Sequence, residues 1–590
     1  MPAGAVGQGP ARYGSDRLLD LVRELGCRYL PGNPGSSFRG FHDSIVNYGG
    51  NRDPQFLLCH NELIAVACAH GYAKAAQRTG FAVIHDLVGL MQASMGVYNA
   101  FVDETPLVLL GGGGPADTTQ RRPIDWIHSA SAQTQLVRDF VKWDAEPTDL
   151  RGAEEAVAQA ARVSATAPQG PTYVTLDAGV QEAPLDDSRH WPAAASMAQT
   201  PAGLALGAGA ASDVAAALVA ADRPVIVVGP MGYATAATEA IVALADPLGA
   251  ACLDVDHATV IPSEFELNVT GELSVLQEAD LVLAVGVRDI RAITEPVLGR
   301  REGTTLRPGL DTTIIDIGLR ELTLRGWASG ASSSPRVDQR CTAEPIRAAR
   351  DLATEVARLL VDEAPERAAR RAEHRAVVVT RHEDIVAAGQ RAVSDRWDDT
   401  PIAPGRMVKE LWDVVKDVPW QLAMRNTRTF PAGIWRFEDA NDYLGHSGGA
   451  GVGYGPGAMV GAALGAMETG RLAIGIGGDG DFLMHPGALW TAAHYRVPML
   501  LVINDNVSFY NDEDHQVAVA RDRGRPEENG HIGMRMEDPR TDIAALARGY
   551  GAWAAGPIED PDDLAGAFRA GLEAALSGET AVVHVRTAPT

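Results

Sequence analysis

The chain has 590 residues, 46% of them hydrophobic, which fits a globular protein of about three domains with large buried cores. Its formal net charge of −25 disfavours nucleic acids and anionic membranes as partners, because both are negatively charged. We expect no membrane span, since no apolar run reaches roughly 18 residues, and no secretion signal, since residues 1–16 lack its charged-then-apolar pattern. Five scattered cysteines without metal-ligand spacing are typical of a cytoplasmic protein.

Strand and helix patterns alternate along the chain, which predicts an α/β fold of three doubly wound domains with parallel sheets. We place the N-terminal domain at residues 12–190, the central domain at 205–365 and the C-terminal domain at 395–590. A Pro/Ala-rich stretch at 189–203 is interpreted as a linker. The Arg/Glu/Ala-rich stretch at 364–376 is interpreted as a solvated helix without chemistry of its own.

The most informative segment lies between residues 471 and 508. Two apolar runs, RLAIGIG and PMLLVIN, predict buried strands, and PGALWTAAHY between them has helical spacing. Asp479 and Asn506 follow the two strands, 27 residues apart, so both are expected at the carboxyl edge of a parallel sheet. Their side-chain oxygens, together with the backbone carbonyl of Ser508, are ligands suited to Mg²⁺ held against a diphosphate.

This Gly-Asp-Gly motif with its distant asparagine resembles the cofactor motif of thiamine-diphosphate (ThDP) enzymes of the pyruvate decarboxylase/acetohydroxyacid synthase superfamily. The resemblance implies ThDP and Mg²⁺ as cofactors. It also implies a pyrimidine-binding, a central and a diphosphate-binding domain in that order. One departure is Asp505, which stands where the family usually has asparagine. The added negative charge near the diphosphate leaves the metal affinity open.

The N-terminal domain resembles that of the benzoylformate decarboxylase family, whose motifs match this chain most closely. Residues 32–36, GNPGS, match a loop of that family and make Ser36 a candidate catalytic residue. Glu62 and His85 fall at the positions of its glutamate and active-site histidine. The resemblance implies that Glu62 bonds to the pyrimidine N1′ and that His85 positions the substrate or relays protons. In the family this glutamate comes from a partner subunit, which implies a dimer or a homotetramer.

Other cofactor contacts follow from the resemblance with less detail. In the stretch GGAGVGYGPGAMVG, Val452 would be the bulky residue beneath the two cofactor rings, and Ala450 would offer its carbonyl to the 4′-amino group. A generic glycine-rich helix entry is the alternative interpretation of that stretch. The remaining candidates bind the diphosphate through hydroxyl groups or through the turn after the strand: Thr427, Thr429, Gly478, Asp479, Gly480 and Asp481.

The substrate pocket differs from that of the decarboxylase family. The corresponding central stretch, residues 284–296, has no second active-site histidine, although Arg288 and Arg291 are near. His128 and His446 instead fall near positions that are apolar in the family. A lone histidine in a loop is often structural, so both interpretations stay open for each.

Asp512 lies where pyruvate decarboxylase has a catalytic glutamate. A carboxylic acid there would protonate a reaction intermediate if a closed apolar site raised its pKa. Alternatively, Asp512 belongs to an acidic, solvated run. The polar segment 511–529 is interpreted either as a lid over the site or as a long surface loop.

The resemblance therefore implies a non-oxidative decarboxylase or carboligase of a small 2-oxo acid. The ylide would attack the keto carbon, CO₂ would leave, and the enamine would be protonated or trapped by an acceptor aldehyde or ketone. One alternative is an acetolactate-synthase-like transferase, which often carries FAD in the central domain. Another is a C–C lyase or hydrolase acting on an acyloin, a diketone or a 2-hydroxyacyl-CoA. A catalytically silent ThDP-fold protein is the last, and the retained Glu62 argues against it.

Overall fold

The computed structural model describes residues 9–185, 194–255, 259–290, 311–322, 336–425, 430–445 and 449–589. The chain forms two compact units. The first comprises Met1–Pro201, Trp397–Thr429 and His446–Thr590 and holds two sheets, whereas the second comprises Ala202–Arg396 and Phe430–Gly445 and holds one. Each sheet is parallel throughout.

Six strands form the N-terminal sheet, in the order β2-β1-β3-β4-β6-β5. Their bounds are β1 Tyr29–Gly32, β2 Gln55–Leu58, β3 Gly80–Ile84, β4 Leu107–Gly113, β5 Trp143–Ala145 and β6 Pro171–Asp177. The accompanying helices are α1 Gly14–Glu24, α2 Arg39–Asp43, α3 Glu62–Ala76, α4 Leu87–Val102, α5 Asp125–His128, α6 Leu150–Ala165, α7 Ala178–Glu182 and α8 Ala194–Met197. Every residue of β1, β3 and β6 is buried, as expected where helices cover both faces of a parallel sheet.

The second unit is built on a five-stranded sheet in the order β11-β10-β9-β7-β8. Its strands are β7 Pro224–Val228, β8 Ala251–Asp254, β9 Leu281–Val285, β10 Thr313–Gly318 and β11 Gln339–Thr342. Its helices among the described residues are α9 Ala208–Ala220, α10 Thr235–Leu248, α11 Val275–Glu278, α12 Pro345–Leu360 and α13 Pro365–Ser394. Only Val378 and Val393 are buried in α13, which confirms the predicted solvated helix. No helix among the described residues is both long and apolar enough to cross a bilayer.

The C-terminal sheet has five strands in the order β12-β13-β14-β16-β15. The strands are β12 Trp420–Arg425, β13 Leu472–Gly478, β14 Met499–Asp505, β15 Trp553–Ile558 and β16 Thr580–Arg586. The helices are α14 Pro404–Val415, α15 Gly455–Glu468, α16 Asp479–Met484, α17 Ala488–Tyr495, α18 Tyr510–Asp522, α19 Ile543–Gly549 and α20 Leu564–Leu576. Three parallel-sheet α/β domains are therefore present, and the predicted fold class is confirmed.

The domain boundaries inferred from the sequence remain predictions. Residues 430–445 fall inside the predicted C-terminal domain, yet they belong to the compact unit of the central sheet. Within that unit the Ala440 N–H donates to Thr238 Oγ1 at 3.0 Å, and Ala440 is part of the buried core.

The segment 511–529 is mostly helical, so its interpretation as a long surface loop was wrong, whereas its interpretation as a lid stays a prediction. Residues Tyr510–Asp522 form α18, and a 3₁₀ helix follows at Glu527–His531. Most of the α18 face is polar and exposed, which hides its helical period in the sequence. Glu513, Ala518 and Ala520 form its buried side.

Helices α3 and α15 pack with their backbones in contact, because glycines lie at the contact points. A Cβ added to Gly461 would lie 1.8 Å from the Cys68 carbonyl oxygen. One added to Gly71 would lie 2.0 Å from the Ala458 carbonyl oxygen. Since α3 begins at Glu62, this contact sets where that residue lies relative to the segment that precedes α15.

Substituting Gly461 tests this contact. We expect Gly461→Ala to lower the melting temperature by several degrees, because its Cβ meets backbone that cannot rotate away and overpacking costs about 1–3 kcal/mol. Gly566→Ala is the matched control, since Gly566 lies in α20 with nothing within 4 Å of its added Cβ. That change is expected to leave stability equal or raise it by up to about 1 kcal/mol. Equal melting temperatures for the two variants, measured by calorimetry, would contradict the role of Gly461.

Candidate functional site

The carboxyl edge of the C-terminal sheet brings the predicted metal ligands into one region. β13 ends at Gly478 and β14 at Asp505, and Gly478 pairs with Asn504 in the sheet register. Asp479, the first residue of α16, is buried and its carboxylate contacts that of Asp505. Beyond β14, Asn506 Oδ1 accepts the Ser508 N–H at 3.1 Å, so these two residues share one turn.

Asp505 is the departure from the family pattern, and its charge is compensated inside the protein. Its Oδ2 accepts a hydrogen bond from the Arg586 guanidinium and lies 2.6 Å from His584 Nε2. Arg586 is the register partner of Asp505 on β16, so the sheet itself delivers the guanidinium. Burial opposes ionisation of Asp505, but the His584 hydrogen bond and the Arg586 charge outweigh it and lower its pKa. The buried charge is therefore paired rather than directed at an incoming diphosphate.

Asp479 shows the opposite shift. Burial, followed by the neighbouring Asp505 carboxylate, raises the pKa of Asp479 to about 8. Two buried carboxylates in contact are unfavourable unless a proton or a cation lies between them. Because oxygen ligands are the ones Mg²⁺ prefers, the donor set at this edge fits a divalent cation.

Asp481 holds the glycine-rich segment that precedes α15. Its Oδ1 accepts the Gly453 N–H at 2.6 Å, and a Cβ at Gly455 would lie 2.1 Å from its Oδ2. Burial raises the pKa of Asp481 to about 6. The carboxylate thus contacts backbone, and its predicted contact with the cofactor remains a prediction.

The segment held by Asp481 has a strained backbone at the predicted residue. Ala450 has φ +49°, a left-handed conformation that costs a residue with a Cβ about 1–3 kcal/mol. Gly449 N–H donates to Asn99 Oδ1 of α4 at 3.2 Å. Val452 is 44% exposed, which leaves its side chain open to a ligand. Of the other predicted residues, Thr427, Thr429, His446 and Arg291 lie outside the described residues.

Glu62 and His85 both lie against one glycine. Glu62 is the first residue of α3, is 5% exposed, and follows the N-cap Asn61, whose side chain accepts the Leu63 N–H. A Cβ added to Gly89 in α4 would lie 2.6 Å from His85 Cβ and 2.9 Å from Glu62 Oε1. The structure thus brings together two side chains that are 23 residues apart in the sequence.

The residues around His85 differ in part from those predicted. Ser37 Oγ lies 2.8 Å from His85 Nδ1, whereas the predicted Ser36 is exposed. The Asp86 N–H donates to the same Nδ1 at 2.7 Å. The His128 ring meets the His85 ring edge-on, with 5.2 Å between centroids.

Sequence reasoning missed three residues of this cluster. Ser37 and Asp86 are chain neighbours of predicted residues, and only the backbone turns at these positions decide which neighbour faces His85. Arg122 gave no motif signal: its Nη2 lies 3.4 Å from Ser36 Oγ, and Asp125 balances its charge at 2.8 Å.

Asp512 does not join the described site residues. Its side chain is exposed at the start of α18 and makes no ion pair or hydrogen bond with the part of the chain that the structure describes. The next residue, Glu513, is buried and accepts hydrogen bonds from Ser508 Oγ at 2.6 Å and from Arg535. The Arg535 hydrogen bonds lower the pKa of Glu513 and keep it ionised. Glu513 thereby ties α18 to the turn that carries Ser508.

Two sequence families match the chain. Residues 12–136 match "Thiamine pyrophosphate enzyme, N-terminal TPP binding domain", and residues 426–585 match "Thiamine pyrophosphate enzyme, C-terminal TPP binding domain". The first covers Glu62, His85 and His128, and the second covers the two strands with Asp479 and Asn506.

Relatives of two kinds align over nearly the whole chain. A probable acetolactate synthase large subunit of Methanocaldococcus jannaschii is 22% identical over 97% of this chain and 91% of its own length. A benzoylformate decarboxylase of Pseudomonas aeruginosa is 25% identical over 94% of this chain and 96% of its own length.

Solved structures share the fold. The thiamine diphosphate-dependent 4-hydroxybenzoylformate decarboxylase of Rhodococcus jostii superposes with a TM-score of 0.75 at 21% identity, covering 98% of this chain and 99% of that one. Benzoylformate decarboxylase from Polynucleobacter necessarius superposes with a TM-score of 0.76 at 18% identity and the same coverage.

The compensation of Asp505 can be tested by a double-mutant cycle. We expect Arg586→Met to destabilise the protein by about 3 kcal/mol, because it leaves a buried carboxylate without its guanidinium partner. Adding Asp505→Asn removes the unpaired charge, so the double variant should be more stable than the single Arg586→Met variant. The free energies of unfolding of the single and the double variant are measured by urea unfolding, monitored by tryptophan fluorescence. A double variant less stable than the single one would show that Arg586 acts through other contacts.

Proposed function

Because the chain belongs to the thiamine-diphosphate-dependent enzymes, we propose that it is a ThDP- and Mg²⁺-dependent, non-oxidative decarboxylase or carboligase of a 2-oxo acid. The observation that carries the proposal is the pair Glu62 and His85, which both lie against Gly89. A buried carboxylate beside a histidine supplies the two proton-handling groups that such a reaction needs. ThDP, when bound, supplies a nucleophilic thiazolium carbon and an electron sink for the departure of CO₂.

The C-terminal edge would hold the diphosphate end of the cofactor. Asp479, Asn506 and the Ser508 carbonyl are proposed as the Mg²⁺ ligands, and the backbone of Gly478–Asp481 as a diphosphate contact. The Glu513 carboxylate accepts a hydrogen bond from the Ser508 hydroxyl and so orients the turn that carries Ser508. Because Arg586 and His584 pair with Asp505, a diphosphate here would not meet an uncompensated carboxylate.

The residues around Glu62 and His85 would act at the pyrimidine end of the cofactor and at the substrate. Glu62 is proposed to hold a proton at the pyrimidine N1′, and its burial excludes water from that contact. His85 would move a proton at the reacting carbonyl, and Ser37 orients its Nδ1. Arg122, beside Ser36 and paired with Asp125, offers guanidinium N–H groups at this cluster that would donate hydrogen bonds to a substrate carboxylate.

Self-association is part of the proposal. Apolar side chains are exposed on α4 and on the segments beside the candidate site, and burying them would lower the free energy of the assembly. They are Val88, Met91, Tyr98, Val452 and Met484. We propose a dimer or homotetramer in which a second copy covers this surface. A cytoplasmic location stays a prediction from the sequence.

The acetolactate-synthase-like transferase is the second candidate, because such synthases are among the relatives that align over most of the chain. In that case the group left after CO₂ loss is transferred to a second 2-oxo acid instead of being protonated and released. FAD in the central domain often accompanies this activity and would colour the purified protein yellow. A flavin band in its visible absorption spectrum would therefore favour the transferase before any assay.

The direct test incubates the full chain with ThDP, Mg²⁺ and a panel of 2-oxo acids, with and without acceptor aldehydes. We expect CO₂ together with an aldehyde or an acyloin, identified by mass spectrometry. Tight ThDP binding without CO₂ from any donor would contradict the proposal. Cleavage of added acyloins or diketones would then assign the lyase or hydrolase class instead.

Replacing the proposed N1′ carboxylate tests the mechanism. We expect Glu62→Gln to lower kcat by about 10²-fold or more while the fold is retained, because the amide cannot exchange the proton. Glu383→Gln is the matched control, since Glu383 is exposed on α13. Unchanged turnover in Glu62→Gln would remove Glu62 from the proton transfer.

A further inference from the structure

A cavity of about 470 Å³ lies at the amino edge of the N-terminal sheet. Lys142, which lines it, immediately precedes β5, and its backbone N–H donates to the carbonyl of Pro171, the first residue of β6, at 2.8 Å. Glu62 and His85 follow the carboxyl ends of β2 and β3, so the cavity lies at the opposite edge of the same sheet. Its volume falls within the range of small-molecule sites, about 300–1,000 Å³.

Two cationic side chains, Lys142 and Arg162, line this cavity. Neither makes an ion pair with any residue that the structure describes. The other described lining residues carry no charge: Val163, Thr166, Gln199, Thr200 and Pro201. Positive charges that share a cavity without a counter-charge favour an anionic ligand.

The Lys142 ammonium lies at the carboxyl end of α6. Its Nζ donates to the carbonyls of Val163 and Thr166, the second at 2.5 Å. Lys142 therefore compensates the partial negative charge of the helix end, and one of its three N–H groups is left for a ligand. Burial lowers the pKa of Lys142 to about 8, and the Glu104 charge, which acts in the opposite direction, does not outweigh it. An anion in the cavity would supply the counter-charge that the buried ammonium lacks.

Arg162 offers most of the remaining hydrogen-bond donors. It lies in the last turn of α6, and its Nη1 donates to the Met197 carbonyl at 3.0 Å, which holds the side chain in place. That bond uses one N–H group of a guanidinium that has five. The planar guanidinium binds a carboxylate or a phosphate through two parallel hydrogen bonds, so Arg162 can hold such a group while it keeps its bond to Met197.

We propose that this cavity binds a small dianion, a phosphate monoester or a dicarboxylate, through Arg162 and Lys142. Two cations match its two negative charges. Because only the ammonium form of Lys142 attracts the dianion, the affinity should fall as the pH rises through about 8. Glu104 stays ionised and Arg162 stays protonated across that range, so Lys142 alone sets the change.

Isothermal titration calorimetry tests the proposal, with methyl phosphate and succinate as separate probes. The full-length protein is first saturated with ThDP and Mg²⁺, so that the proposed diphosphate site is occupied. We expect one equivalent of at least one probe to bind at neutral pH. Arg162→Gln and Lys142→Met should each weaken binding at least tenfold, because each removes a charged hydrogen-bond donor. Arg151→Gln is the matched control, since it removes the same charge from an exposed position on α6 and should leave the affinity unchanged.

Lys142→Arg separates binding from the support that Lys142 gives to α6. This variant keeps the positive charge, so it should bind the probe at neutral pH, but its affinity should no longer fall through pH 8, because a guanidinium does not titrate there. Binding of methyl phosphate alone assigns the phosphate monoester class, and binding of succinate alone assigns the dicarboxylate class. Absence of binding by both probes, or equal affinity in Arg162→Gln and Arg151→Gln, would overturn the site. A wild-type affinity that stays constant through pH 8 would overturn the Lys142 contact.

Discussion

The close approach of α3 and α15 is the constraint on which the candidate site depends. Glycines at the contact let backbone meet backbone, and any side chain there would force the helices apart. One end of this helix pair carries Glu62, and the segment before α15 carries Val452. Both groups proposed to contact a cofactor are therefore positioned by packing that involves neither of them.

Buried polar groups reinforce the same contact. His70 of α3 lies 2.8 Å from the Tyr454 hydroxyl, which immediately precedes α15. Lys74, one turn further along α3, pairs with Asp103 at 2.7 Å, and both are buried. Such buried pairs are favourable only when every partner is present. The Tyr454–His70 pair therefore disfavours other registers of α3 and α15, and the Lys74–Asp103 pair holds α3 against the end of α4.

The buried carboxylates at the carboxyl edges of the C-terminal and N-terminal sheets have different partners. At the C-terminal edge, Arg586 and His584 lower the pKa of Asp505, whereas burial and the Asp505 carboxylate raise the pKa of Asp479. At the N-terminal edge, Asp86 Oδ1 has no hydrogen bond among the described residues. Both edges follow buried parallel strands, where α/β proteins bind ligands.

Much of this protein was determined by its sequence alone. The apolar runs predicted the strands. Because parallel strands place their carboxyl ends at one edge of the sheet, Asp479 was expected to lie near the end of β14. Local patterns could not show that α18 is helical, because its exposed face is polar and its buried side is short. Only the tertiary structure decided that Ser37 rather than Ser36 contacts His85, that Arg586 pairs with Asp505, and that Asp512 stays exposed while Glu513 is buried. These contacts depend on the direction of single side chains and on strand register between distant segments, and neither is encoded in the spacing of residues along the chain.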